Sequence, residues 1–199
     1  MGEPLAALVG LGNPGPEYDD TRHNAGFWFV DRVARDAGAS WRHEAKLSAS
    51  ACRARVGGVE LWLVKPSTFM NASGTAVGAL CRYYRLTPAQ VLVAHDELDL
   101  APGIARLKKG GGAGGHNGLT DIIARIGTDF WRLRIGIGRP PPRRDLIPYV
   151  LGRPSQAESE AIETSLACGL DVLPLIAQGE TQRAMNILHT TNGETAHGA

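Results

Sequence analysis

The chain is poor in cysteine. It has 199 residues and three cysteines, Cys52, Cys81 and Cys168, with no C-x-x-C pair. An odd, unpaired set argues against a disulfide framework and for a reducing compartment. The N-terminus lacks a basic segment followed by a long apolar core, the pattern of a secretory leader. No apolar run approaches the roughly 20 residues that span a bilayer. Together these absences predict a cytoplasmic protein. Excess charge is missing too: 21 Lys+Arg against 20 Asp+Glu give a formal net charge of +1. A nucleic-acid partner is therefore not announced globally, and any basic footprint must be local. The nucleophile elbow G-x-S-x-G, the zinc motif H-E-x-x-H and the G-K-[ST] ending of a Walker A loop are all absent.

Apolar residues make up 43% of the chain and charged residues 21%, as in a soluble globular domain. Residues 5–11 read as a buried strand. Residues 23–37 carry apolar positions at helical spacing and stop at Gly38. Residues 49–56 and 59–64 flank Gly57–Gly58, a hairpin signal. Residues 72–85 fit a helix capped by Asn71 or Ser73, and a short element starts at Thr87–Pro88. A short strand over 91–94 ends at His95–Asp96. Residues 104–107 suit an edge strand, and 119–126 a helix. Residues 131–137 suit a strand whose Arg132 and Arg134 form one polar face. Pro140–Pro141–Pro142 breaks regular structure. Ser155 can cap a helix that Pro174 should kink or end, and 182–188 suits a last helix. Strands alternating with helices predict a single-domain α/β three-layer sandwich, with a twisted mixed β-sheet flanked by helices. The domain is expected over residues 1–191, with a short frayed tail over 192–199.

The segment over residues 10–26, GLGNPGPEYDDTRHNAG, follows the first strand. Its opening satisfies G-x-G-x-x-G, but Pro14 and Pro16 bracket Gly15 and disfavour the helical region before them. No helix can begin inside those glycines to hold a pyrophosphate. A merely structural loop would explain the glycines and prolines, but not the cluster Asn13, Tyr18 and His23.

Four segments share one character, a polar residue ending an apolar element: Asn13 and His23; Phe69–Met70–Asn71; His95–Asp96–Glu97; and His116–Asn117. Loops at the carboxyl ends of strands converge on one crevice in an open α/β sheet. Histidine, carboxylate and carboxamides without a nucleophile suit activation of water. A neutral imidazole takes a proton, a carboxylate fixes its tautomer, and carboxamides serve an oxyanion or an amide. His95 should face away from Asp96 and be structural. A metal would have to gather His23, Asp96 and His116, without any tight ligand spacing. The loop over residues 108–118, KKGGGAGGHNG, brings backbone amides and two lysines to the start of a helix. With Arg132, Arg134, Arg139, Arg143 and Arg144 it could form a basic face for phosphates, or it could be a mobile lid without a ligand.

These segments, together with KPSTFMNASG over 65–74, HDELDL over 95–100 and RLRIGIGRP over 132–140, resemble the bacterial peptidyl-tRNA hydrolase family. The resemblance spans residues 5–188. It implies a phosphorylase/hydrolase-like fold and a monomeric enzyme without metal or cofactor. Such an enzyme cleaves the ester between a peptide and the 3′-terminal ribose of tRNA, recycling tRNA from prematurely released peptidyl-tRNA. By motif position it makes His23 the catalytic base, Asp96 its supporting carboxylate, and Asn13 the residue that tells blocked from free aminoacyl ends. Tyr18, Phe69, Asn71 and Asn117 match substrate-binding positions, and Lys108 and Arg134 match basic residues that contact tRNA. Met70 would join Phe69 in an apolar wall, and His116 is placed with the substrate-binding set. Ala113 and Thr120 depart from the family's usual polar residue and lysine. A non-catalytic RNA-binding module of the same fold is the alternative.

Overall fold

Four consecutive residues without a polar side chain, Ala7–Gly10, form strand β1, buried at every position. Such a run has no solvent face and belongs in the middle of a sheet covered on both sides. The computed structural model, which describes residues 2–194, places it there. β1 pairs in parallel with β4 (Val59–Pro66) and with β5 (Val91–Glu97). Beyond β4 lie β3 (Ala49–Val56) and β2 (Arg42–Glu44), both antiparallel to their neighbours. Beyond β5 lie β7 (Trp131–Gly136), parallel, and β6 (Ala105–Lys109), antiparallel at the edge. The order β2-β3-β4-β1-β5-β7-β6 makes a seven-stranded mixed sheet. Gly57 and Gly58 both take positive φ, as the two-residue turn between β3 and β4 requires.

Helices α2 (Ser73–Tyr84) and α3 (Asn117–Ile126) cover one face, around Val9, Val64 and Val93. Helices α1 (Ala25–Asp36), α5 (Gln156–Ala177) and α6 (Thr181–Glu194) cover the other, around Leu8, Leu63 and Leu92. Alternate residues of each central strand thus feed two cores, the three-layer arrangement expected from the sequence. No helix among the described residues is long and apolar enough to cross a membrane.

Several local expectations are corrected. β5 does not stop before His95; it runs to Glu97 because β7 pairs alongside, Asp96 against Ile135. The arginine face of β7 is not solvated: Arg132 is buried under the glycine loop. Neither Asn71 nor Ser73 caps α2, whose cap position is Ala72; Ser73 Oγ donates instead to the Met70 carbonyl. Ser155 caps α5 as expected, through a reciprocal bond pair with Glu158. α5 nevertheless passes through Pro174 to Ala177, because buried Val172, Leu173 and Ile176 hold its last turns against the core. Helix α6 continues to Glu194, into the expected tail; residues 195–199 lie outside the described residues.

Two glycines set the distance between α1 and the sheet. A Cβ on Gly10 would lie 2.3 Å from the Gly26 carbonyl oxygen. A Cβ on Gly26 would lie 2.3 Å from the Ala94 carbonyl oxygen and 2.5 Å from the Leu11 nitrogen. Helix α1 therefore crosses β1 and β5 backbone to backbone, which brings the turn before it beside the end of β5.

Candidate active site

That turn, a short 3-10 segment over Arg22–Asn24, carries His23. Its imidazole Nδ1 lies 2.9 and 3.0 Å from the two carboxylate oxygens of Asp96 on β5. The carboxylate is 2% exposed and the histidine side chain 12% exposed. A carboxylate can only accept, so Nδ1 carries the proton and Nε2 is left as the basic nitrogen.

Asp96 receives a second donor. His116 Nε2 lies 2.9 Å from Asp96 Oδ1. His116 caps α3, and its Nδ1 accepts the Leu119 amide at 3.3 Å. One nitrogen therefore accepts and the other donates, which fixes a neutral ring with its proton on Nε2. Burial would raise the Asp96 carboxyl. The two imidazoles, His116 and then His23, outweigh it and hold the group far below the ordinary carboxylate range. His116, expected among substrate contacts, thus spends both nitrogens inside the protein and supports Asp96.

His95 faces away from Asp96, as expected, and packs edge-on against His116 with ring centroids 5.0 Å apart. Its Nδ1 donates to the Asp96 carbonyl at 2.7 Å, and its Nε2 is buried without a partner. Burial, with His116 beside it, pushes its pKa down to about 3. The unfolded value is about 6.5, so between those limits the unfolded chain binds one proton more. Stability is then full above pH 6.5 and falls as the pH drops toward 3. Thermal melts should lose about 2 kcal/mol between pH 7 and 5. In His95→Asn that loss should largely disappear; an equally steep decline in the variant would assign the acid sensitivity elsewhere.

Asn13 is held by three bonds. Its amide nitrogen donates to Asn24 Oδ1 at 2.8 Å, and Asn24 Nδ2 donates back to its carbonyl at 3.0 Å. The Met70 amide donates to Asn13 Oδ1 at 2.7 Å. With the side-chain oxygen committed, the carboxamide NH2 is the group Asn13 can offer a ligand. Asn24, 1% exposed, stands out in the sequence of the same loop but is given no role there; it supports Asn13. Its place beside His23 was the available signal.

The remaining expected residues separate by exposure. Phe69 is 58% exposed and meets Tyr18 edge-on at 6.1 Å between centroids, an aromatic corner open to solvent. Asn71 and Asn117 are exposed, and Asn117 lines the crevice with His23, Asp96 and Gly114–Gly115. Met70 does not form a wall with Phe69: it is buried in the α2/α3 core, its sulfur where a Cβ of Gly118 would be. Lys108 is exposed and folds toward Gly111. Arg134 is less free than expected, with its Nε 2.8 Å from Glu97 Oε2. Arg132 grips the glycine loop from below through the Gly111 and Gly112 carbonyls.

The crevice wall opposite the loop also went unread. Helix α4 (Leu146–Val150) contributes Leu146, Ile147 and Val150. Arg22 ties it down: the guanidinium donates to the Tyr149 carbonyl and Glu158, and lies 4.2 Å over the Tyr149 ring.

A neutral imidazole poised on a buried carboxylate, with the Asn117 carboxamide lining the same crevice, is the arrangement of a water-activating hydrolase on a three-layer α/β fold. The comparisons agree. A family model described as peptidyl-tRNA hydrolase matches residues 7–196. A peptidyl-tRNA hydrolase of Cupriavidus necator is 51% identical over 196 residues, covering 94% of this chain and 99% of its own length. One of Nitrosospira multiformis is 54% identical over 187 residues, covering 94% and 98%. The crystal structure of the Acinetobacter baumannii peptidyl-tRNA hydrolase superposes with a TM-score of 0.91 at 42% identity, covering 94% of this chain and 96% of that one. The chain belongs to the peptidyl-tRNA hydrolase family.

Proposed function

We propose that the protein hydrolyses the ester between a peptide, or an N-acyl amino acid, and the 3′-terminal ribose of tRNA, recycling tRNA from prematurely released peptidyl-tRNA. The observation that carries this reading is the His23–Asp96 pair, which leaves Nε2 of His23 free toward the crevice. His23 Nε2 takes a proton from water as the water attacks the ester carbonyl, and Asp96 stabilises the imidazolium that forms. Asn13, its oxygen held by Met70, offers an N–H to the oxyanion or the peptide. Phe69 and Tyr18 give the unpaired 3′ end a surface to stack on. Asn117 and the loop before it bind the peptide amides. A free α-ammonium cannot replace an acylated N–H there without changing charge and hydrogen bonding. Lys108 and Arg134 meet tRNA phosphates. The working form is a cytoplasmic monomer.

One observation favours a second reading: His23, Asp96 and His116 offer ligand atoms all within 4.8 Å of one another. The His116 tautomer opposes it, because a ring whose Nδ1 accepts the Leu119 amide presents a proton, not a lone pair, at Nε2. Release of peptide from N-acylated aminoacyl-tRNA decides. Wild type should turn over equally with and without EDTA, and His23→Ala should lose about 10²–10⁴-fold. Inhibition by EDTA with rescue by zinc would establish the metal reading. Undiminished turnover in the variant would remove His23 from the chemistry. Binding of tRNA without turnover by wild type would identify a non-catalytic module.

A further inference from the structure

A second surface lies at the other end of the sheet, where α2 finishes. The helix begins next to Asn13 and runs about 18 Å back to Tyr84. Trp62 of β4 sits at that far end, opposite Ala7, the first residue of β1. Trp62 stacks on Tyr84 at 4.7 Å and 28°, and Tyr84 meets Tyr83 edge-on at 4.9 Å. Cations close both ends of this ladder: Arg53 lies 4.9 Å from the Trp62 ring, and Lys46 4.3 Å from Tyr83. Tyr83 is 57% exposed, with its ring open to solvent on the side away from Tyr84 except for Lys46.

The surroundings are basic, although the chain as a whole carries only +1. Cross-strand partners share a face. Arg42 opposite Ala51, and Arg55 opposite Glu60, therefore join Arg53 on the α2 side of the sheet. Arg82 and Arg85 follow at the end of α2. Three carboxylates counter them: Glu60 on Arg53, Glu44 on Lys46 and Asp121 on Arg125. Arg42, Arg55, Arg82 and Arg85 make no ion pair among the described residues. Beside Tyr83 a groove of about 660 Å³ opens between α2 and α3, with Lys46, Arg82 and Arg125 on its walls and Gly78 at its side.

We propose that this surface binds an unpaired segment of an RNA other than the tRNA whose acceptor end enters the crevice. Phosphates lie in the groove against Arg82, Arg125 and Lys46. A base stacks on Tyr83 as the flexible Lys46 side chain moves from the ring to a phosphate. An exposed ring, Tyr83, set among cations is what a single-stranded nucleic acid uses and an acidic peptide does not. The surface stands a helix length from Asn13, and competition with an acceptor-stem minihelix separates this RNA from the substrate.

The test uses the whole chain and a fluorescein-labelled oligouridylate 12-mer, read by anisotropy. Wild type should bind it, with log K falling against log salt at a slope of about −2 for three phosphate contacts. Arg82→Ala/Tyr83→Ala should weaken binding at least about tenfold and leave turnover of N-acylated aminoacyl-tRNA unchanged. An acceptor-stem minihelix should not displace the oligonucleotide, and polyglutamate should compete only weakly. Four results would overturn the proposal: no saturable binding by wild type, equal binding by the double variant, displacement by the minihelix, or polyglutamate competing as well as RNA. Turnover is read separately, so failure here leaves the hydrolytic reading untouched.

Discussion

Asp96→Asn is expected to lower turnover of N-acylated aminoacyl-tRNA by about 10³-fold or more, with the fold intact. The reason is a conflict of donors. Asp96 accepts N–H groups from both His23 and His116. A carboxamide has one oxygen and one NH2. His116 cannot turn its lone pair toward the carboxamide, because Nδ1 is engaged by the Leu119 amide. The new oxygen therefore takes the Oδ1 place beside His116, and the NH2 takes the Oδ2 place, 2.9 Å from His23 Nδ1. His23 can donate only to the oxygen it shares with His116, at 3.0 Å, against a competing tautomer that accepts the NH2 at Nδ1 and has no lone pair for water; in both, the imidazolium loses its carboxylate. The loss should fall on kcat rather than KM, since both carboxylate oxygens are spent on His23 and His116 rather than on the substrate. The diagnostic is non-additivity: adding His116→Ala to Asp96→Asn should cost no further activity, because it frees the oxygen to face His23 again. A double variant whose losses multiply would show that His116 acts on the substrate and that tautomer control is the wrong account.

What could be read in advance follows from the range of the forces involved. β1 and the first four residues of β5 are continuous apolar runs with both faces buried, so local composition alone declares them. Asn13, His23 and Asp96 stand where such runs end. The unread parts depend on contacts across the chain. Arg22 holds α4 through bonds spanning 127 and 136 residues, and nothing near Arg22 announces Tyr149 or Glu158. Arg132 and Arg134 look alike in an alternating strand. Only the loop that closes over β7 buries the first, and only Glu97 pairs the second. Phe69 and Met70 are adjacent apolar residues. The turn after Phe69 points one to solvent and the other into the core, a choice made by the Asn13 side chain that fixes the Met70 amide. His116 was visible as a polar residue before a helix, but its capping role and its bond to Asp96 needed the register of α3 against β5.

Gly26→Ala should be damaging to both stability and turnover. Alanine normally favours a helix interior over glycine by up to about 1 kcal/mol, so propensity alone predicts a gain. Contact decides otherwise. The added carbon would lie 2.3 Å from the Ala94 carbonyl oxygen and 2.6 Å from that of Leu11. Both are backbone atoms of the central strand region and cannot swing aside, so α1 must lift by about 1 Å to reach ordinary contact. Overpacking of this kind costs about 1–3 kcal/mol or more, which outweighs the propensity term. The lift also separates the two catalytic partners, since Gly26 is three residues from His23 and Ala94 two from Asp96. A displacement of about 1 Å can cost about 10²-fold in rate. Expected, then, are a lower melting temperature and a turnover loss of that order in protein that is still folded. Gly78→Ala is the control: it also sits inside a helix, its nearest neighbour would be 3.6 Å away, and it should be neutral or stabilising. If Gly26→Ala matched Gly78→Ala in both melting and turnover, the close crossing of α1 over β1 and β5 would not be what sets the His23–Asp96 distance.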